Sequence, residues 1–492
     1  MQLALKLMER PKVALVGAGV MLLGIAPVLK WLTQAKVDRF QKVPGIWFFG
    51  VYFQVLPFEI RFFEKLAEFS QKYGAEGVYE MENLGERIVV TCCLETAMEV
   101  LEKRPYHIIR GDPLTERPLF GGCAFSNGKQ WQKERRLICP FLSGKPVAAA
   151  AGKLERVVDV LLSGIAAESQ KGGEGVASCL RLLMLANDNM LAAVLTGEEP
   201  LEERPSEWSE ATTAYGLAAL MTLLPLVSSL RDWGIPIFGS KLSSAKQRAL
   251  DACMAKGADG TFVGRLRSLV SSGEMCGDEV AQFIVSIVFA GHAPGATAAW
   301  ALYHLAQLPE VQDSIVRELE HDQKKSTWAE AVWLEALRLY PLETHNYRTA
   351  DTVTIAGRKV PAGTKVLIHM RHLLQNFHEP KLGEDLHEFR PGRWIGPNGI
   401  HSTPFNSLVF GHGSRECVGR LLIESFGPMV ITKVAERFVL SPDHDSQEKT
   451  FKDGPGTMYG TPEPTHANVR FQLRGTKGQP LDDCDGISNY IV

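Results

Sequence analysis

One cysteine of this chain stands where a thiolate can be held. In Phe410-Gly411-His412-Gly413-Ser414-Arg415-Glu416-Cys417-Val418-Gly419 the thiol lies two residues after a guanidinium in a glycine-rich loop, and an apolar, helix-compatible run follows (Leu421, Leu422, Ile423, Phe426). A loop-to-helix junction offers free backbone N–H groups and the positive end of the helix dipole, and the neighbouring cation adds to both, so the anionic form of the sulfur is favoured. Gly411, Gly413 and Gly419 let the backbone pass close beneath a flat ligand. The alternative is a buried structural cysteine in a tight turn, the commoner fate of a lone thiol.

Two groups of charged residues lie upstream. Glu335 and Arg338, in Trp333-Leu334-Glu335-Ala336-Leu337-Arg338-Leu339-Tyr340-Pro341, are three apart and share one helix face, which alone reads as an ordinary ion pair. Phe389-Arg390-Pro391-Gly392-Arg393-Trp394 supplies a further arginine on a loop.

The spacing F-x-x-G-x-R-x-C-x-G resembles the haem-binding loop of the cytochrome P-450 superfamily, and the run at 389–394 resembles that family's F-x-P-x-R-[FW] signature. The likeness extends over roughly residues 44–474. It implies a mainly α fold with a small β portion, with haem b (iron protoporphyrin IX) held between a long distal helix and the proximal cysteine loop. It implies Cys417 as the axial ligand, Arg415 as partner of a haem propionate, and Phe410 and Gly419 as fixed positions of the cofactor loop. A thiolate ligand donates electron density to iron and favours O–O cleavage.

The same resemblance implies a buried triad of Glu335, Arg338 and Arg393. Such a network is costly to bury and strongly destabilising to break, so its expected role is to lock the loop that presents Cys417. Trp131 and Arg135 match the W-x-x-x-R spacing of the family's haem-edge helix, where both reach one propionate; an exposed basic helix with Lys129, Lys133 and Arg136 is the other reading. Arg348, thirteen residues after Glu335, matches another propionate-contacting arginine. The run Ala301-Leu302-Tyr303-His304-Leu305-Ala306, with Glu424, resembles the mitochondrial branch.

These residues need a long helix, and one is legible. Val280, Phe283, Ile284, Ile287 and Val288 repeat at helical spacing, with Gly291 and Gly295 on the same stripe. Side-chain-free positions there would leave room for cofactor and substrate, or permit close helix packing. The family reads A-G-x-D/E-T-T at this point, an acid and an alcohol that deliver protons. This chain reads Ala290-Gly291-His292-Ala293-Pro294-Gly295-Ala296-Thr297. Counting from Ala290 puts Ala293 and Pro294 at the acid and alcohol positions; counting back from Trp300 puts His292 and Ala293 there. Neither register restores the pair, and Gly291, His292 and Thr297 remain as catalytic candidates. Pro294 cannot donate to the Ala290 carbonyl, so a kink is expected.

Two activities follow from the resemblance. The first is a monooxygenase that inserts one atom of O2 into an apolar organic substrate of lipid, sterol or terpenoid type, with His292, a water or the substrate hydroxyl supplying protons. The alternative is an O2-independent isomerase or dehydratase of lipid hydroperoxides or endoperoxides, which needs no proton relay. A non-catalytic haem-binding protein is the minor alternative.

Composition bounds the rest. The 492 residues show no Pro/Ser-rich linker or internal repeat, and a 45% hydrophobic content supports one large core. The expected layout is a membrane anchor or targeting segment over 1–42, a catalytic domain over 43–475 and a tail over 476–492. Residues 13–29 form an apolar run flanked by basic residues, at about the 17-residue lower limit for spanning a bilayer. A net charge of −3 gives no basic field for nucleic acid. Nine cysteines without C-x-x-C spacing read as reduced thiols of a cytosol-facing domain. The endoplasmic reticulum is the expected location, with a mitochondrial or plastid membrane as alternative. Residues 327–337 carry no lysine or arginine, which favours a flavoprotein reductase over a ferredoxin as electron donor, with Lys129, Lys133, Arg136 and Arg420 as its docking patch.

Overall fold

The computed structural model describes residues 39–45, 58–83, 86–111, 122–171, 175–201, 205–221, 239–321, 325–376, 381–443, 456–458, 461–464 and 468–475. The expected anchor at 13–29 and the tail from 476 lie outside them. The chain divides into two units, one drawn from Met1–Glu134, Pro341–Glu379 and Ser407–Cys417, the other from Arg135–Tyr340, Pro380–Asn406 and Val418–Val492.

The first unit is built on a five-stranded sheet. Its strands are β1 (Val78–Asn83), β2 (Glu86–Thr91), β3 (Ile108–Arg110), β4 (Thr344–Thr349) and β5 (Lys365–His369), in the order β1-β2-β5-β4-β3. All neighbours are antiparallel except β2 and β5, which run parallel. A separate two-stranded hairpin pairs Val353–Ile355 with Arg358–Val360. Side chains alternate across the sheet, and one face closes over Leu66, Phe69, Tyr79, Met81, Val90 and Leu367.

The second unit is mostly helical. Its distal stretch comprises α1 (Gly277–Ala290) and α2 (His292–Leu305), followed by α3 (Thr327–Leu339) and α4 (Arg420–Arg437). Val280, Phe283, Ile284 and Val288 of α1 are buried, as their spacing requires. α3 opens on a capping serine, with Ser326 Oγ accepting from Ala329 N at 3.1 Å. It packs against α4 closely enough that a Cβ on Gly427 would collide with the Trp333 indole. A three-stranded sheet (Phe438–Pro442, Asn468–Leu473, Val176–Ser178) and the hairpin Gly456–Met458 with Thr461–Glu463 complete the unit.

The distal helix breaks where the missing donor makes it break. Gly291 N still reaches Ile287 O at 2.8 Å and Gly291 keeps αR angles (φ −75°, ψ −8°), but the helical hydrogen-bond pattern is interrupted there by a turn that separates α1 from α2. Pro294 supplies no N–H to the Ala290 carbonyl, and the interruption falls on the turn that bond would have closed. By length and hydropathy the run Gly277–Leu305 could cross a membrane, but its most apolar stretch is 69% buried inside the protein. It is a core element.

Candidate active site

The cysteine loop is set by backbone geometry. Gly411 and Gly413 hold φ of +81° and +71°, a region that costs other residues strain. They carry the chain into a 3-10 turn, Gly413–Arg415, and Cys417 N closes the loop by donating to Phe410 O at 2.8 Å. Cys417 is exposed, and helix α4 begins three residues later at Arg420 with Gly419 at its N-cap. The junction read from the sequence is the one observed.

Arg415 is buried beside this loop. Its Nη1 donates to Asn127 Oδ1 at 2.9 Å, its Nη2 to Ser126 O at 2.5 Å, and its Cζ lies 4.8 Å from the centroid of the Trp131 ring. Asn127 is fixed in turn by a reciprocal pair with the Arg110 backbone, at 3.0 and 3.1 Å. Two more guanidinium groups face the same place: Arg104 lies 4.5 Å and Arg110 5.4 Å from the Tyr347 ring. Burial, and then the charges of Arg110 and Arg104, draw the Arg415 guanidinium down to about 9. His345 on β4 is drawn down to about 3 by burial and the same two charges, so its ring is neutral.

This cluster is short of acceptors. Among the described residues Trp131 Nε1 and Arg110 Nε, both buried, have no hydrogen-bond partner, although buried donors are almost always satisfied. Three cations with two orphaned donors fit an anion that carries several oxygens, which is what haem propionates present. The donor set therefore fits the group that the cysteine loop implies.

The strand register sets Arg348 apart from its neighbours on β4. His345 and Tyr347 share the buried face of β4, while Arg348 takes the other face; its Nη1 donates to Gly363 O at 2.8 Å and its Nη2 lies 3.6 Å from Glu86. Arg348 therefore lies on the face opposite the Tyr347 ring that Arg104 and Arg110 approach. Arg104, Arg110, Asn127, His345 and Tyr347 were not found from the sequence, although β4 alternation singles out the last pair. Arg135 lies one turn beyond Trp131 on the helix Gly128–Leu142 and is half-buried.

The triad assembles in full. Arg338 grips Glu335 with two hydrogen bonds of 2.9 and 2.8 Å, and Arg393 Nε reaches Glu335 Oε1 at 2.9 Å. Two unforeseen donors complete the carboxylate: Trp394 Nε1 at 2.8 Å and Arg390 N at 2.9 Å. The remaining guanidinium protons reach the carbonyls of Leu382, Glu384, Asp385, Leu386 and Glu388. What the triad visibly fastens is thus the irregular segment 382–394, laid against α3.

Of the two readings of Gly291 and Gly295, room for a ligand or close helix packing, their neighbours favour the second. A Cβ on Gly291 would strike Leu191, and one on Gly295 would lie 2.8 Å from Met184 Sδ, so both glycines serve close packing on the helix Cys179–Leu195. Thr297 is buried and returns its hydroxyl to Ala293 O at 3.1 Å. His292 Nε2 lies 2.5 Å from Glu463 Oε1.

A family model supports the reading that the loop, triad and cationic cluster carry. The cytochrome P450 model matches residues 41–468. The chain belongs to the cytochrome P450 family. The mainly α fold is the family's, and the cofactor is the family's haem b, with Cys417 as the axial thiolate. Among relatives, "Cytochrome P450 10" of Lymnaea stagnalis is 32% identical over 200 residues, covering 37% of this chain and 36% of the relative. The human "25-hydroxyvitamin D-1 alpha hydroxylase, mitochondrial" is 27% identical over 366 residues, 65% of this chain and 70% of that one. The human "Sterol 26-hydroxylase, mitochondrial" is 29% identical over 228 residues, 42% of each. The first and third alignments thus span less than half of either protein. This P450 is a haem-thiolate enzyme.

Proposed function

We propose that this P450 is a monooxygenase that inserts one oxygen atom of O2 into an apolar organic substrate of lipid or sterol type. The observation that carries the reading is the acceptor-poor cluster of Arg415, Arg110 and Trp131 beside an exposed, glycine-framed Cys417. Arg415, Arg110 and Trp131 Nε1 would take the propionates, and Cys417 the iron. When bound, the haem supplies oxygen activation; the protein supplies the thiolate, the cationic anchor and an apolar setting. Relatives named as hydroxylases of a sterol and of 25-hydroxyvitamin D support both the reaction and the substrate class.

The same names favour a mitochondrial over a reticular membrane as the location. The electron donor divides the readings: mitochondrial kinship points to a ferredoxin, whereas the base-free face of α3, with Glu330 raised by burial and by the Glu424 charge, points to a flavoprotein reductase. The isomerase reading draws support from one feature only, the absence of a carboxylate-alcohol pair at Ala290–Thr297.

Purified protein given NADPH with either a ferredoxin chain or a flavoprotein reductase, or lipid hydroperoxide alone, separates these activities. Oxygen uptake and product with NADPH are expected; product from hydroperoxide without NADPH would overturn monooxygenation. Cys417→Ser should abolish the red-shifted band of the reduced, carbon-monoxide-bound protein.

A further inference from the structure

Resting on the reading that Arg415, Arg110 and Trp131 Nε1 take the haem propionates, we propose that Glu134 is a positioning residue for that anchor, acting on Arg415 through Ser126. The Arg415 guanidinium is held from one side by a single short segment. Its Nη1 donates to Asn127 Oδ1 at 2.9 Å, and its Nη2 to Ser126 O at 2.5 Å and Cys123 O at 3.4 Å. These acceptors belong to residues 122–127, a turn in which Phe125 N and Ser126 N both donate to Gly122 O, at 3.1 and 3.0 Å. The turn is tied down twice. Asn127 pairs with the Arg110 backbone of β3, and the Ser126 hydroxyl lies between Gly122 O, at 2.9 Å, and Glu134 Oε2 on the helix Gly128–Leu142.

What Glu134 bonds shows what it is for. It is buried, and its other oxygen accepts from Gln130 Nε2, one turn earlier on the same helix, at 2.8 Å. Among the described residues it bonds only these two neutral donors and no guanidinium or ammonium group. A buried carboxylate without a cation is costly to keep, so a polar contact made by it calls for a reason. Here the contact fixes the Ser126 side chain, and with it the carbonyl that receives Arg415. A carboxylate bonded directly to Arg415 would neutralise the charge that a propionate needs; Glu134 orients the guanidinium and leaves that charge in place. Trp131, whose ring lies against Arg415, stands three residues before Glu134 and so on the same side of the helix. One helix therefore delivers both the stacking ring and the brace for the turn.

The test uses the full-length holoprotein and the variants E134A, S126A and E134Q. Haem transfer to excess apomyoglobin, the propionate bending band in resonance Raman and the melting temperature are read for each. E134A and S126A should each release haem about tenfold faster with a displaced propionate band, and the double variant no faster than either alone. E134Q keeps an acceptor for the Ser126 hydroxyl and should recover most of what E134A loses. In an R415K background, where the fork that the Ser126 carbonyl holds is gone, E134A should add less than about twofold. The proposal is overturned by parental haem retention in E134A, by additive effects of E134A and S126A, or by the full effect of E134A persisting in R415K. Should E134A not fold, S126A decides alone, and parental retention there overturns it equally. Parental retention in both W131F and R415K instead sinks the propionate-anchor reading itself, before Glu134 is considered.

Discussion

Arg415 lies across the Trp131 indole with its Cζ 4.8 Å from the ring centroid, and the indole Nε1 next to it is buried without a partner. The stack fixes a guanidinium lowered first by burial and then by the Arg110 and Arg104 charges, with Tyr347 and Cys123 acting to raise it and no carboxylate among the described residues bonded to it. Concentrating positive charge in this way is unfavourable for the chain alone and favourable once an anion binds. Haem binding and the stability of this corner are therefore linked.

Trp131→Phe keeps the ring under Arg415 and removes only the orphaned donor. A hydrogen bond to a charged acceptor is worth about 1.5–3 kcal/mol, so haem retention should weaken by about tenfold or more. Arg415→Lys keeps the charge but loses the fork that bonds Asn127 and Ser126 together, and should weaken it further. The rate of haem transfer to excess apomyoglobin measures both. A Trp131→Phe protein that holds haem as the parent does would remove Nε1 from the site.

The triad was legible only through the motifs that carry the family resemblance, since by spacing alone Glu335 and Arg338 read as an ordinary ion pair and Arg393 lies 58 residues further on. Its other donors were not, since nothing in a sequence says that the Trp394 indole and the Arg390 amide converge on the same carboxylate. The cationic cluster was half legible. Arg415 and Trp131 carry motif spacing, whereas Arg104 and Arg110 meet Tyr347 only because β3 pairs with β4 across more than two hundred residues. The helix break followed from Pro294 by local chemistry. Which neighbour Gly291 and Gly295 face did not, because periodicity names a face and not what packs on it.

Glu335→Gln should be the most damaging conservative change in the chain. The side chain is fully buried among five donors, and Arg338 and Arg393 beside it are 1% and 4% exposed. Removing one charge of such a network strands the others, at a cost of about 3–5 kcal/mol. Glu424→Gln is the control, because that residue pairs with Arg420 at a site about a quarter exposed, where less than about 1 kcal/mol is at stake. Urea unfolding of the two variants side by side decides it: equal midpoints would mean that the triad adds nothing.

His304 gives the fold a directed dependence on acid. Its ring stacks on Phe389 at 4.3 Å and 9°, and its Nε2 is 2.7 Å from the Tyr340 hydroxyl. Burial lowers it to about 3, against an ordinary value of 6.5. The unfolded chain therefore binds the proton that the folded chain refuses. The stabilisation is fully present above about pH 6.5 and is lost as pH falls toward 3, at about 1.4 kcal/mol per pH unit. His304→Gln keeps an acceptor for the Tyr340 hydroxyl but cannot titrate. Its absolute stability should drop with the lost stacking, while the slope of unfolding free energy against pH, measured between about pH 6 and 4, should flatten by about 1.4 kcal/mol per unit. His345 and His369, also lowered by burial, keep part of the slope in both proteins. A parallel pair of slopes would show that His304 is already protonated in the folded state, and the hydrogen bond would then run from the ring to the tyrosine oxygen.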